Sequence, residues 1–335
     1  MPAVRPLTAI LAATALLLAG CGGDDDGGGA GGGAAGAEAG APAAAALESA
    51  RSPKRSDFPA VKGRSLEQIS AKLPAVDIGL ATSVFTPGEN RLAFGMLDRE
   101  RSFIYGRSAV YLARTPTGPV RGPFLAPADP LVVEPPFRSR GAATPGGDIA
   151  AIYDARVNLP SPGRWYVLAV TNVDGQLAGA PSQIQVNAKE NIPDVGDPAP
   201  RVKTDTLASA GGDIESIDTR VPPSEMHEDS FDEVVGKKPV ALLFATPRLC
   251  QTRVCGPVVD IAEQLRRSYG DRMTFIHQEV YIDNVVEKGL RPPLQTFRLR
   301  TEPWLFTIDR DGKVAARLEG SFGTEAFEEA VKAAL

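Results

Sequence analysis

The sequence predicts an all-β sandwich followed by an α/β domain, with a structureless tether ahead of both. Three observations predict this. Residues 76–190 carry short alternating or apolar runs punctuated by Gly and Pro, the pattern of half-buried strands. Beyond the Pro-rich junction NIPDVGDPAPRV the rhythm changes to a continuous apolar run, then a helical period, then a hairpin and a closing helix. Between Gly22 and Ala46 nearly every residue is Gly, Ala or Asp, too little apolar side chain to offset the entropy of ordering.

The first element is a leader. Arg5 precedes an apolar run from Leu7 to Gly20, about 14 residues, shorter than the roughly 17 to 25 needed to span a bilayer. Residues 1–20 therefore read as a signal peptide. The run ends in Leu18-Ala19-Gly20-Cys21, which resembles the bacterial lipoprotein signal motif. That resemblance implies a lipidated Cys21, and two acyl chains on it would hold the protein stably at the extracytoplasmic face of the cell membrane. Residues 21–65 are then expected to form a lipid-anchored, disordered linker.

Within 76–190 the strand candidates are RLAFGMLD, SAVYLAR, IAAIYDARV, RWYVLAVTN and PSQIQVNA, with no long helical period among them. Six or seven such strands suggest an antiparallel sandwich. The Leu159-Pro160-Ser161-Pro162-Gly163 turn ahead of Arg164 resembles that of an immunoglobulin-like domain. The region holds neither Cys nor His, so a binding or spacer module is expected there.

From 195 to 335 the elements follow a different order. A short β-rich lead-in and SFDEVVGKKP precede Val240 to Ala245, an apolar run that reads as a strand buried on both faces. Val258, Ala262, Leu265 and Tyr269 then recur at helical spacing, so a helix starts just after Cys255 and stops at Gly270. MTFIHQEVYI reads as a second buried strand, and a Pro-rich helical segment follows it. TEPWLFTI and KVAARLEG pair across Asp309-Arg310-Asp311-Gly312, and GTEAFEEAVKAAL closes the chain as a helix.

The chemistry concentrates in ATPRLCQTRVCGPVVD, which holds Cys250 and Cys255, the two cysteines besides Cys21. Their Cys-x4-Cys spacing lets the Cα atoms approach the roughly 5.5 to 6 Å that a disulfide prefers. A redox pair, a metal clamp and an inert staple are all compatible with the spacing. A thiol at the start of a helix faces unpaired N–H groups and the positive end of the dipole, which favours the thiolate at Cys255. Arg248 and Arg253 would add positive charge if turned inward.

Residues 195–335 resemble a thioredoxin-fold domain of the extracytoplasmic thiol-disulfide type. VGDPAP and FDEVVGKKPVALLF resemble its lead-in, CGPVV its Cys-Gly-Pro helix entry, and Glu302-Pro303 stands where that family places a cis proline. The sequence departs from the family at Val258, which replaces the motif's second cysteine, and at Thr246-Pro247-Arg248-Leu249, which replaces its aromatic residues. The resemblance implies thiol-disulfide exchange with extracytoplasmic protein thiols or disulfides, with Cys255 attacking, Cys250 resolving and Pro303 guiding the incoming polypeptide.

Other functions are weighed beside this one. Some thioredoxin-fold lipoproteins bind copper through two loop cysteines and a histidine, and His277 is then the candidate third ligand, although FIHQEVY reads more simply as a strand histidine. Thr252, three residues before Cys255, stands as in peroxiredoxins, but Pro247 is one residue out of their spacing. A redox-inactive binding lipoprotein is the remaining alternative. A net charge of -5 and only two histidines, His227 and His277, point away from nucleic acid and from imidazole-rich metal sites. Neither a resident cofactor nor a metal is expected.

Overall fold

A computed structural model describes residues 40–144, 149–173, 175–250 and 252–335. The leader, Cys21 and the tether as far as residue 39 lie outside the described residues. The chain runs through α1 (Gly40–Ala50), α2 (Leu66–Ser70) and eight strands: β1 (Asp77–Leu80), β2 (Gly88–Leu97), β3 (Arg107–Ala113), β4 (Arg121–Ala126), β5 (Ala128–Pro130), β6 (Ala151–Leu159), β7 (Gly163–Val173) and β8 (Gln176–Val186). It continues with α3 (Phe231–Val234), β9 (Val240–Phe244), α4 (Cys255–Tyr269), β10 (Thr274–Gln278), α5 (Pro292–Phe297), β11 (Trp304–Ile308), β12 (Val314–Glu319) and α6 (Thr324–Ala334).

The eight N-terminal strands make two sheets, ordered β1-β2-β6-β5 and β4-β3-β7-β8, with every pairing antiparallel. Phe94, Met96, Tyr153, Trp165 and Val167 fill the space between them. Trp165 is buried, as a sandwich-core residue should be, and its indole N–H donates to the Ser161 carbonyl at 3.0 Å.

Strand β3 shows why the segment ahead of the sandwich is not a free linker. Val110 and Leu112 point into the space between the sheets, while Ala109, Tyr111 and Ala113 point outward and would otherwise face water. Phe58, Leu66 and Ile69 cover that outer face, and the Tyr111 hydroxyl donates to the Pro59 carbonyl at 2.7 Å. At α1, Ala50 is fully buried and Leu47 packs against the inter-sheet cluster. The linker expected to extend through residue 65 is therefore ordered from α1 onward. Its few apolar residues find partners on the sandwich that composition alone does not reveal.

The third sheet has the order β10-β9-β11-β12, with β10 parallel to β9 and the other pairs antiparallel. Central strand β9 is covered on both faces. Ala241 and Leu243 face the cluster built from α4 and α6, and Val240, Leu242 and Phe244 face the one built from α3 and α5. The apolar run read from the sequence is that strand, and the order βαβ, short helix, β-hairpin, helix is as expected. The β-rich lead-in is not: residues 203–230 hold no strand, only turns and a 3-10 turn at Ile214–Ser216.

The two units share packing. Leu131, Val133 and Ala143 from the sandwich side belong to the same cluster as α4 and α6. Helix α6 has no cap from its own N-cap residue Gly323. Instead the Asp129 carboxylate, on β5, accepts N–H bonds from Gly323 (3.0 Å), Glu325 (2.8 Å) and Ala326 (2.9 Å). This satisfies three of the four orphan donors that a helix start leaves and places negative charge at the positive end of its dipole. Asp129→Ala is expected to lower the stability of the full chain by about 2 kcal/mol, read as a fall in the urea midpoint at unchanged slope.

A second seam lies at the end of β12. Glu319 accepts from the Ser83 amide at 2.8 Å and the Val84 amide at 3.0 Å. Gly320, with φ +71, leaves no room for a Cβ, which would stand 1.6 Å from the Ala81 carbonyl oxygen. Only glycine meets both demands, the left-handed backbone and the close approach. Gly320→Ala is expected to force the two units apart at this seam, giving earlier urea unfolding and faster proteolysis between them.

Candidate thiol site

The site lies where β9 runs into α4. Ala245 and Thr246 leave the sheet, and the Thr246 carbonyl accepts from the amides of Leu249 (3.2 Å) and Cys250 (3.0 Å), turning the chain back on itself. Arg253, at φ 60, makes a second sharp bend before α4 starts at Cys255. The helix follows because Val258, Val259, Ile261, Ala262 and Leu265 bury one face against the sheet. Its N-cap residue Val254 offers no side-chain acceptor, so the first amides of the helix need another partner.

Cys250 supplies that partner. Its sulfur accepts from the Cys255 backbone N–H at the mouth of the helix and from the Thr252 backbone N–H, and it shares hydrogen bonds with the Thr252 hydroxyl at 3.2 Å and with the Cys255 thiol. These donors, the Cys255 thiol foremost, hold the Cys250 thiol down to about 6 although burial opposes this. Cys255 itself is 0 % exposed. Burial first, and then its donation to Cys250, push its thiol up, while the Thr246 backbone contributes a weaker opposing hydrogen bond. Both cysteines are free and their sulfurs are hydrogen-bonded to each other.

The expected pair is thus brought together, with the hydrogen bonds lowering Cys250 and burial raising Cys255. Helix-terminus activation was expected at Cys255 because that residue begins the helix. In the folded loop Cys250 bends back over the helix start and receives the N–H, whereas the Cys255 side chain points into the apolar cluster. Arg248 and Arg253 are both exposed on the loop.

Beside the sulfurs stand the side chains of Glu302 and Tyr281, to which the sequence reading gave no role. The Glu302 carboxyl is raised by burial and by the neighbouring Cys250, and it accepts a hydrogen bond from Tyr281 that pulls the other way. The peptide between Glu302 and Pro303 is cis, as expected. The Pro303 carbonyl already accepts the Gly320 N–H at 2.9 Å, and proline has no N–H to offer. Because Glu302 carries a charge next to Cys250, Glu302→Gln is expected to shift ionisation of the Cys250 thiol to lower pH, read from the pH midpoint of its alkylation rate.

His277 does not turn to the cysteines. Its Nε2 lies 3.1 Å from the Ala245 carbonyl, and its Nδ1 lies 3.3 Å from Ser224 Oγ and 3.4 Å from Asp218 Oδ2. This speaks against a copper site made of Cys250, Cys255 and His277. Thr252 binds the sulfur of Cys250, two residues away, rather than that of Cys255.

A buried polar frame backs the loop. Thr219 donates through its hydroxyl to Glu279 at 2.5 Å, and the same hydroxyl accepts from the Arg248 amide at 3.1 Å. Next to it Arg220 is paired with Asp260 of α4, Nε to Oδ1 at 2.8 Å. Sequence reasoning missed this frame because DTRVPPSEMH has neither a strand nor a helix period.

No family model matches the chain, and no curated protein matches it. Among solved structures, one assigned as a thiol:disulfide interchange protein DsbE from Chlorobium tepidum is 18% identical. The match covers 42% of this chain and 98% of that one, with a TM-score of 0.31. A second, a thioredoxin-family thiol:disulfide interchange protein from Chlorobium tepidum TLS, is 17% identical over 42% of this chain and 96% of its own, with a TM-score of 0.30.

Proposed function

We propose that this protein is a thiol-disulfide oxidoreductase in which Cys250 attacks and Cys255 resolves. One observation carries the reading. A half-buried sulfur receives the N–H of a helix start and the proton of a second, fully buried thiol, so the pair is ordered into a nucleophile and a reserve. An inert staple needs no such order, and closing so short a loop contributes only about 2 kcal/mol.

The exchange runs in two steps. The Cys250 thiolate attacks one sulfur of a substrate disulfide, forming a mixed disulfide and expelling a substrate thiolate, which takes a proton from solvent. The Cys255 thiol then loses its proton and attacks Cys250 Sγ. That closes the Cys250–Cys255 bond and releases the second substrate sulfur as a thiol. The substrate is reduced by two electrons and the protein oxidised by two, and a dithiol reductant restores the pair. We assign uptake of the proton from Cys255 to Glu302, whose charge acts on both sulfurs.

The leader motif at Cys21 supports an extracytoplasmic, lipid-anchored setting, with the two-sheet, immunoglobulin-like unit spacing the thiol site from the membrane. The fully reduced chain, treated with excess insulin disulfide, is expected to yield one intrachain bond between Cys250 and Cys255 by mass spectrometry of the digested protein. Recovery of both cysteines as thiols after insulin has been exposed for hours would refute the proposal.

A further inference from the structure

Asp218, His227 and His277 form a second cluster of titratable side chains, which the exchange chemistry leaves unused. Asp218 and His227 belong to the strandless lead-in and His277 to β10. All three are buried, at 3%, 3% and 0% exposure. His227 Nε2 lies 3.0 Å and His277 Nδ1 3.4 Å from the same oxygen, Asp218 Oδ2, and each of the three residues offers a ligand atom within 4.8 Å of the others'.

With both rings neutral, hydrogen bonding alone does not satisfy this arrangement. The Ala245 carbonyl, 3.1 Å from His277 Nε2, fixes a proton there, so a neutral ring turns the lone pair of Nδ1 toward the carboxylate. Ser224 Oγ has one proton, yet it lies 2.7 Å from Asp218 Oδ2 and 3.3 Å from His277 Nδ1 and can serve only one of them. The Ser224 amide already donates to that same carboxylate oxygen at 2.7 Å. His227 Nδ1 is buried without a partner, so neither tautomer of that ring is completed by hydrogen bonds.

Charge gives a second reason. Glu279, 0% exposed and with Oε2 unpartnered, stands near enough to act on His277, and Asp218 is a second buried carboxylate. Arg220, the cation beside them in sequence, is committed to Asp260. Two buried carboxylates favour a positive charge between them, which either a proton on an imidazole or a bound metal ion supplies.

We propose that Asp218 Oδ2, His227 Nε2 and His277 Nδ1 bind one divalent transition-metal cation, Zn2+ in first place, with Ser224 Oγ beside them as the fourth donor. Zn–N and Zn–O bonds of about 2.0 to 2.2 Å in a tetrahedron put neighbouring donors roughly 3.3 Å apart, and 3.0 and 3.4 Å are found. Two imidazoles and a carboxylate suit Zn2+ better than the thiolate-preferring Cu(I). The Ala245 carbonyl on His277 Nε2–H is the kind of outer support that orients a metal-bound ring. The ion ties the lead-in to β10 and, through Ala245, steadies the residue before Thr246, where the thiol loop begins.

The test uses the full chain and a Cys250→Ser/Cys255→Ser form in which the loop sulfurs cannot bind metal. After chelation and desalting, Co2+ titration followed by its visible absorption and Zn2+ competition are expected to show one ion per chain in both forms. His227→Ala is expected to weaken binding by about a hundredfold or more. Added Zn2+ should also raise the unfolding temperature of the double-serine form, a readout that stands even if His227→Ala does not fold. No ion bound by either form would overturn the proposal and leave an imidazolium–carboxylate cluster. Binding that disappears with the cysteines, or that survives His227→Ala unchanged, would overturn it equally.

Discussion

Cys250→Ser is expected to abolish disulfide exchange, lowering insulin reduction by roughly three or more orders of magnitude, the scale on which loss of a nucleophile acts. The hydroxyl that replaces the sulfur keeps the bonds at the helix start but does not ionise near neutral pH. Cys255→Ser is expected to behave differently. The attacking sulfur survives and the resolving one is gone, so the first step proceeds and the second stops. The variant should accumulate a stable mixed disulfide with substrate, visible as a covalent adduct on non-reducing gels. The contrast between a silent variant and a trapping one separates the assigned roles from their reverse, in which Cys255→Ser would be the silent one. Equal rates in the wild type and both variants would remove the enzymatic reading.

The largest expected effect on folding comes from Arg220. Its Nε donates to Asp260 at 2.8 Å, one terminal nitrogen to the Pro222 carbonyl at 2.7 Å and the other to the Phe137 carbonyl at 2.8 Å. Asp260 Oδ2 accepts in turn from the Ser139 amide and hydroxyl. One side chain thus joins α4, the lead-in segment and a sandwich loop. The pair is nearly dry, 5% and 0% exposed at the side chains. Removing one partner leaves a buried charge uncompensated, so Arg220→Ala is expected to cost about 3 to 5 kcal/mol, read from urea unfolding. The double variant Arg220→Met/Asp260→Leu should cost much less than the sum of the singles, because it removes both charges together. Additive losses would show that the pair is not the interaction at stake.

Much of the architecture is legible in the sequence because burial writes itself as periodicity. Strand β9 is covered on both faces and is uniformly apolar, and α4 carries its buried residues three and four apart. The strands that leave no such trace are β1, β4 and β5, which are short or contain proline (Pro123 in β4, Pro130 in β5). Order in residues 40–65 is hidden for a different reason. Large apolar residues are few there, and the decisive partners of Leu47, Ala50 and Phe58 lie far along the chain on the sandwich.

At the site, the sequence supplies the two cysteines, their proximity and the cis proline, and it points to Cys255 where the helix-start N–H meets the sulfur of Cys250. Position at a helix start says where a backbone amide is. It does not say whose sulfur that amide meets, which depends on how Thr246 to Val254 fold back. The acids and hydroxyls around the loop, Glu302, Thr219 and Glu279, come from segments distant in sequence, and no local spacing brings them forward.

The most direct test is alkylation of the reduced full chain across pH, with each cysteine quantified separately by mass spectrometry. Deprotonation exposes the nucleophile, so labelling of Cys250 is predicted to rise as pH climbs through about 6 and to level off above it, while Cys255 stays unreactive at neutral pH. Labelling of Cys255 ahead of Cys250, or a Cys250 midpoint no lower than that of an ordinary thiol, would contradict the account.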